Sequence, residues 1–239
     1  MMNHNDIQKI RFGIGVIGDV TSFFLFFSPF FTFRRIWKNK SVEEFHPYPY
    51  LAAVLNCAFW VLYGLPMVSL NNPLVIVINS IGLALELGYL YIFFKFADKK
   101  QKFIVAGILM GEAVFIAGMA TITMEVFHTI SKRTNFVGAV CVFFGIILYG
   151  SPLSVMVKVF KTKSVEFLPF WVCFAGFSNG IVWSIYAVLG KLDPYILTGN
   201  GIGAILGFIQ LILFACYRKT TPVHGQKPDK KSEVQLQNV

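Results

Sequence analysis

Seven apolar stretches of 22 to 24 residues, separated by short polar segments, are the feature of this sequence that most restricts its fold. Each stretch is long enough to form a helix across the hydrocarbon core of a bilayer, which takes roughly 20 residues. The longest segment outside them, 218–239, is far shorter than the roughly 50 residues of a small domain. The sequence therefore predicts an all-α membrane protein with seven transmembrane helices. They cover residues 12–33, 48–69, 73–96, 103–124, 135–157, 168–190 and 194–217.

Lysine and arginine are divided unequally between the two ends of these helices. The loops before residues 48, 103 and 168 and the C-terminal tail share one side, which carries 16 of the 21 basic residues. Because basic residues collect on the cytosolic side, we expect the N-terminus outside and the C-terminus in the cytosol, in an integral protein of the plasma membrane. Topology and attraction to anionic membrane lipid explain the formal charge of +9, so no nucleic-acid partner is expected.

The chain contains an internal repeat. Six motifs recur 123 residues later, and a seventh recurs 121 residues later because the loop before the third helix of the second copy is two residues shorter. One helix separates the copies, so both enter the membrane from the same side and are related by an axis along the membrane normal. The first copies are Gly15, Ser28-Pro29, Lys40-Ser41-Val42-Glu43, Asn56, Trp60, Tyr63 and Asn79-x-x-Gly82, and the second are Gly138, Ser151-Pro152, Lys163-Ser164-Val165-Glu166, Asn179, Trp183, Tyr186 and Asn200-x-x-Gly203.

This repeat predicts a 3+1+3 arrangement of the helices. Residues 10–96 form a first three-helix bundle, and residues 134–217 form a second. Residues 97–133 supply a linker helix with its flanking loops. Residues 218–239 are expected to be a disordered cytosolic tail.

Motifs for catalysis or for metal binding are absent from the sequence. The four cysteines lie inside apolar stretches without CxxC spacing, and the four histidines are not clustered. No glycine-rich phosphate loop, HExxH motif or Ser/His/Asp candidate is found. We therefore expect a protein that is not an enzyme and needs neither a cofactor nor a metal.

Several long motifs resemble those of the plant-type SWEET sugar transporters, a standard example of parallel repeats. The resemblance covers about residues 10–220 and implies a passive facilitator of mono- or disaccharides. It also implies that each bundle packs in the order first, third, second helix around one central site. The motifs are SPxxTF at 28–33, KSVEEF at 40–45, LNCxxWxxYGLP at 55–66, KTKSVEFLPF at 161–170 and GNGIG at 199–203.

Asparagines and tryptophans in the repeated motifs are candidates for the sugar site. A carboxamide both donates and accepts hydrogen bonds, as sugar hydroxyls do, and an indole ring can cover the apolar face of a pyranose. Hydrogen bonding between helices is the alternative for the asparagine pair that the family motif matches, and a core position is the alternative for the tryptophans. The expected substrate-binding residues are that asparagine pair, Asn79 and Asn200, together with Trp60, Trp183, Asn56 and Asn179.

Prolines recur late in the first helix of each copy. A proline inside a helix removes one hydrogen bond, so the carbonyls of Leu25 and Leu148 should lose their usual donors. The resemblance implies a hinge set of four prolines, although a simple helix-start role is the alternative for the last of them. These prolines are Pro29, Pro49, Pro152 and Pro169.

The resemblance further implies an outer gate formed by Tyr63, Tyr186 and Asp193. This chain departs from some family members because the loop 64–73 contains no lysine that could pair with Asp193. A salt bridge between that loop and the carboxylate is therefore not expected.

Three carboxylates, Asp19, Glu86 and Glu112, lie inside predicted spans. A charge within the bilayer costs at least about 3 kcal/mol, so each must find a partner, take up a proton or face water. We expect structural hydrogen bonds for Glu86 and Glu112. Asp19 is a candidate proton site.

The sequence favours passive, bidirectional uniport of glucose-type hexoses. Asn56 and Asn179 would narrow the cavity, where sucrose-moving relatives tend to have smaller residues such as serine, and Lys219-Thr220-Thr221-Pro222 resembles hexose-preferring members. Proton-coupled transport and self-association both stay open. A PQ-loop amino-acid transporter would need Pro-Gln where this chain has Pro49-Tyr50 and Pro169-Phe170, and a seven-helix receptor would not be expected to repeat its first three helices.

Overall fold

Nine helical segments form seven rods in the computed structural model, which describes residues 3–70 and 72–221. The predicted all-α fold with seven helices is confirmed, and two of the seven rods are broken helices. Residues 222–239 of the predicted tail lie outside the described residues. The segments are α1 His4–Phe27, α2 Phe30–Asn39, α3 Tyr48–Gly64, α4 Pro73–Phe96, α5 Lys99–Val126, α6 Ile130–Leu148, α7 Gly150–Thr162, α8 Phe170–Val188 and α9 Pro194–Tyr217.

Six of these rods are long and apolar enough to cross a membrane, by length and composition. The seventh, α3, has 17 residues, which is the lower limit for a spanning helix. The predicted stretch 48–69 is longer than α3 because Leu65 adopts an extended conformation, as is usual directly before a proline. The apolar residues after Leu65 form a turn in which Val68 is buried. Hydropathy alone could not detect this helix end.

Ser28 and Pro29 separate α1 from α2 in the first rod. Pro29 has no N–H group, so it cannot donate to the carbonyl of Leu25. The backbone N–H of Ser28 donates to that carbonyl at 3.2 Å, and the Ser28 hydroxyl donates to it at 2.8 Å. The carbonyl thus loses its usual donor, as expected, but Ser28 replaces it. In the second copy, the break between α6 and α7 lies at Tyr149, three residues before Pro152.

Both bundles pack in the order first, third, second helix. In the first bundle, α4 lies between the α1–α2 rod and α3, and in the second bundle α9 lies between the α6–α7 rod and α8. Gly180 and Gly207 let α8 and α9 approach closely. A Cβ atom on Gly180 would lie 2.7 Å from the backbone nitrogen of Ala204, and one on Gly207 would lie 2.9 Å from the Cα of Phe177.

The two bundles meet along two helix pairs, α1 against α8 and α3 against α6. Each pair joins the first helix of one copy to the second helix of the other, which is the contact that a two-fold relation between the copies requires. The linker helix α5 lies outside this arrangement and contacts α3, α4 and α6. We call the end where α1 begins the N-side and the opposite end, rich in lysine and arginine, the basic side.

The repeated Lys-Ser-Val-Glu motif ends a helix on the basic side of each bundle. Lys40 and Lys163 both adopt the left-handed conformation with φ of 54°, which stops α2 and α7. One residue later, Ser41 accepts a hydrogen bond from the N–H of Glu43, and the second copy repeats this turn. Hydrogen bonds from Asn39 and Arg35 hold the pKa of the Glu43 carboxyl below its ordinary value.

Candidate functional site

All six predicted substrate-binding residues line one cavity of about 260 Å³ between the two bundles. They come from α3, α4, α8 and α9, the second and third helices of each copy. Ser22 and Phe26 of α1, and Cys141 and Gly145 of α6, complete much of the remaining wall. The six are Asn56, Trp60, Asn79, Asn179, Trp183 and Asn200.

Asn79 and Asn200 have the same local geometry in the two bundles. Each amide nitrogen donates to the carbonyl four residues earlier in its own helix, that of Val75 or Ile196, at 2.9 Å. Among the described residues, neither amide forms the predicted alternative, a hydrogen bond to another helix. This internal bond orients each amide and leaves its oxygen and its second N–H group for a ligand.

Asn179 is held by the opposite bundle. Its amide oxygen accepts hydrogen bonds from the hydroxyl groups of Thr21 at 2.8 Å and of Ser22 at 2.7 Å. These two residues of α1 therefore fix the orientation of Asn179 across the interface between the bundles.

Asn56, the counterpart of Asn179, is not held in this way. Its amide oxygen is buried and has no hydrogen-bond partner in residues 3–70 and 72–221. The cause is a difference between the copies, since Phe144 and Gly145 stand where the first copy has Thr21 and Ser22. Neither replacement carries a hydroxyl group. An uncompensated buried oxygen costs about 1–3 kcal/mol, so the two copies differ in how well this amide is satisfied.

The two tryptophans also differ between the copies. Trp183 is 5% exposed, donates from Nε1 to the Ser22 hydroxyl at 3.0 Å, and packs its ring on Gly18, where a Cβ atom would lie 2.9 Å from Cε2. Trp60 is only half-buried and faces Gly199 of the other bundle. Trp183 therefore combines a core position with a cavity edge, whereas more of the Trp60 ring is accessible to a ligand.

The three predicted gate residues lie on the N-side of the cavity and are linked by hydrogen bonds, partly through Asn72. The Tyr63 hydroxyl lies 2.8 Å from both carboxylate oxygens of Asp193, to which it donates. Asn72 donates to the same carboxylate at 3.2 Å and accepts a hydrogen bond from the Tyr186 hydroxyl at 3.4 Å. The loop that lacks a lysine thus contacts Asp193 through Asn72 instead.

Arg11, which was not among the predicted gate residues, joins these contacts. Its guanidinium donates to Asn72 at 2.9 Å and to the backbone carbonyl of Tyr186 at 3.3 Å, and it lies 4.0 Å from the centre of the Tyr186 ring. Arg11 is 7% exposed, which is unusual for a cation. Two signals could have indicated the site: Arg11 lies one helical turn before Gly15 of the repeat, and Asn72 occupies the place of Asp193 at the offset of 121 residues.

The predicted hinge prolines lie on the other side of the cavity. Pro29 lies in the break of the first rod and Pro152 in the first turn of α7, whereas Pro49 lies in the first turn of α3 and Pro169 directly precedes α8. The described residues contain no hydrogen bond between the bundles on this proline side. Within the described residues, the hydrogen bonds that join the bundles lie at the level of the cavity or on its N-side.

The three carboxylates inside the spans do not line the cavity. One oxygen each of Asp19, Glu86 and Glu112 is buried without a hydrogen-bond partner in the part of the chain that the structure describes. The expectation of hydrogen bonds for Glu86 and Glu112 is wrong for these oxygens. Hydropathy placed these carboxylates inside spans, but it could not show which of their oxygens lack a hydrogen bond within the described residues.

Comparison with known proteins assigns the chain to a family. The family model described as "Sugar efflux transporter for intercellular exchange" matches residues 12–101 and 135–222, once in each half of the chain. The chain belongs to the SWEET family. The motif resemblance, the integral membrane location and the absence of an enzymatic role are thereby confirmed.

Individual SWEET proteins match nearly the whole chain. The "Bidirectional sugar transporter SWEET4" of Arabidopsis thaliana is 54% identical over 208 residues, which cover 87% of this chain and 82% of that protein. SWEET7 of the same plant is 49% identical over 218 residues, which cover 91% and 83% of the two chains. A solved structure of a eukaryotic SWEET transporter superposes with a TM-score of 0.85 at 36% identity, over 89% of this chain and 99% of that one.

Proposed function

We propose that this protein is a passive, bidirectional uniporter of glucose-type hexoses. The observation that carries the proposal is the cavity between the bundles, where amides from both copies face a space bounded by two indole rings. The named relatives are bidirectional sugar transporters, which supports sugar as the substrate. Asn79, Asn200 and Asn56 would bind hydroxyl groups, and Trp60 would cover an apolar face of the ring.

Alternating access would follow from rocking of the two bundles about the cavity. The bundles 10–96 and 134–217 would move as units joined by residues 97–133, with the N-side gate opening as the proline side closes. The breaks next to Pro29 and Pro152 supply bending points, because the helix ladder is already interrupted there. With the N-terminus outside a plasma membrane, the contacts among Tyr63, Tyr186 and Asp193 would form the outer gate, and the cavity would serve the cytosolic side.

The proposal is tested by counterflow of labelled glucose in liposomes that contain only this protein. Uniport predicts that labelled glucose exchanges into liposomes preloaded with unlabelled glucose, at equal pH on both sides and with a protonophore present. Sucrose and an amino acid should each exchange at a clearly lower rate. Accumulation of glucose against its gradient on external acidification would refute uniport and make Asp19 the leading coupling residue.

Substrate size should depend more on Asn56 than on Asn179. Replacing both residues with serine is expected to shift the sucrose-to-glucose ratio toward sucrose, because two amides leave the cavity wall. Asn56→Ser alone should produce most of this shift, since Asn179 is already bonded to Thr21 and Ser22. The measurement is the ratio of the two initial counterflow rates. An unchanged ratio in the double variant would show that these positions do not limit substrate size.

A further inference from the structure

Two lysines and two aromatic rings form a cluster at the basic side of the first bundle, which we call the first-bundle lysine cluster. The Lys40 ammonium lies 5.1 Å from the ring centres of both Trp37 and Phe96. The Lys95 ammonium lies 4.3 Å and 5.7 Å from the same two centres. The rings meet edge to face, with their centres 5.6 Å apart, and Trp37 is 43% exposed. Two cations therefore share one exposed aromatic platform.

No anionic group of the described chain neutralises this pair of cations. Within residues 3–70 and 72–221, the one salt bridge joins Arg35 to Glu43. Neither Lys40 nor Lys95 donates a hydrogen bond to any residue in these ranges. Like charges on shared rings repel each other, and an anion bound at both ammonium groups would convert this repulsion into attraction.

The second bundle has a counterpart that lacks this property. Lys163 lies 4.0 Å from the ring centre of Phe160 and 4.8 Å from that of Tyr217. It also donates a hydrogen bond to the Tyr217 hydroxyl at 3.0 Å, so its ammonium already has an acceptor. The two clusters differ at three positions, since Phe160, Cys216 and Tyr217 correspond to Trp37, Lys95 and Phe96. The second cation and the lack of an acceptor are thus specific to the first bundle.

The position of the first-bundle lysine cluster indicates what binds there. It lies where α2 and α4 leave the apolar zone, which is the depth of lipid headgroups, and tryptophan and lysine are typical of this layer. Toward the bilayer, Leu87, Tyr91 and Phe94 form an exposed apolar stripe along α4 that leads to Lys95. The site therefore offers cations for a headgroup and an apolar track for its acyl chain.

We propose that the first-bundle lysine cluster binds the phosphate headgroup of an anionic phospholipid, with one acyl chain lying along the α4 stripe. Lys95 and Lys40 contact the anionic headgroup, and Trp37 holds both stems at the interface. The second bundle does not form an equivalent site, because its counterpart cluster on Phe160 and Tyr217 has one lysine, Lys163, and that lysine is bonded to Tyr217.

The test uses the full-length protein in neutral detergent, titrated separately with phosphatidylserine, phosphatidylcholine and inorganic phosphate. Bound lipid is counted by native mass spectrometry, and affinity is read from the shift in melting temperature. Phosphatidylserine is expected to bind and stabilise. Lys40→Gln and Lys95→Gln should each weaken the affinity for phosphatidylserine about fivefold, and the double variant about 25-fold. These values follow from the usual contribution of a lysine near an anionic headgroup. The matched control Lys163→Gln should change the affinity for phosphatidylserine less than twofold.

A gain-of-function variant provides an independent arm. Cys216→Lys combined with Tyr217→Phe copies the Lys95 and Phe96 positions into the second bundle and should add a second bound phosphatidylserine. Unchanged affinity in the lysine-to-glutamine variants would overturn the proposal. Equal binding of phosphatidylcholine, which has the same phosphate but no net charge, would show that the site does not select an anionic headgroup. Equal stabilisation by inorganic phosphate would show a soluble-anion site. Either result would also overturn the proposal. If the double glutamine variant does not fold, the single variants and the added site decide the question.

Discussion

Glucose counterflow should fall at least tenfold when either Asn79 or Asn200 is replaced with alanine. Each amide is already oriented by a bond to its own helix and turns its oxygen and one N–H to the cavity. Removing it leaves sugar hydroxyls unpaired in a site shielded from water, which costs about 1–3 kcal/mol for each partner lost. The measurement is the initial counterflow rate per reconstituted protein, together with the melting temperature in detergent.

Asn39→Ala is a suitable control, because this asparagine bonds Glu43 on the basic side, far from the cavity in the fold. Its counterflow rate should remain within twofold of the wild type. Melting temperatures of the Asn79 and Asn200 variants should also remain close to that of the wild type, since the bond removed is exposed to the cavity and lies within one helix. A wild-type rate in either variant would assign that asparagine a purely structural role.

The repeat explains why the six cavity residues could be predicted from the sequence as one group. Asn56 and Trp60 recur 123 residues later, and in a two-fold arrangement the two copies of an inward-facing residue line the same central space. The repeat, together with the family motifs, therefore grouped six residues from four helices. The roles of these residues in binding sugar remain predictions, which the variants above test.

Differences between the copies carried information that the sequence analysis did not use. Ser22 and Thr21 hold Asn179, whereas their counterparts cannot hold Asn56, and this asymmetry is visible only when contacts between α1 and α8 are known. Arg11 on α1 and Asn72 in the loop before α4 are 61 residues apart in the sequence, so their pairing could be inferred only from the repeat positions of Gly15 and Asp193.

Gly180→Ala is expected to lower the melting temperature and to reduce glucose counterflow at least tenfold. A methyl group at this position would lie 2.7 Å from the backbone nitrogen of Ala204 and 2.9 Å from the backbone oxygen of Asn200. Backbone atoms cannot rotate away as a flexible side chain can, so α8 and α9 must separate, and overpacking of this kind costs roughly 1–3 kcal/mol. The measurements are the melting temperature in detergent and the initial counterflow rate.

The counterflow rate should fall by more than the loss of folded protein alone would cause, because the displaced contact lies within the cavity wall itself. Gly180 directly follows Asn179 on α8, and the strained contact reaches the backbone of Asn200, so separating the helices moves both amides that the second bundle contributes to the cavity. Gly176→Ala is the matched control, since it lies one turn earlier on α8 and its new methyl group would have no neighbour within 4 Å. Alanine also favours a helix over glycine, by up to about 1 kcal/mol, so this variant should retain full transport with an equal or higher melting temperature. If Gly180→Ala behaved like Gly176→Ala, the close approach of α8 and α9 would not be what positions the cavity.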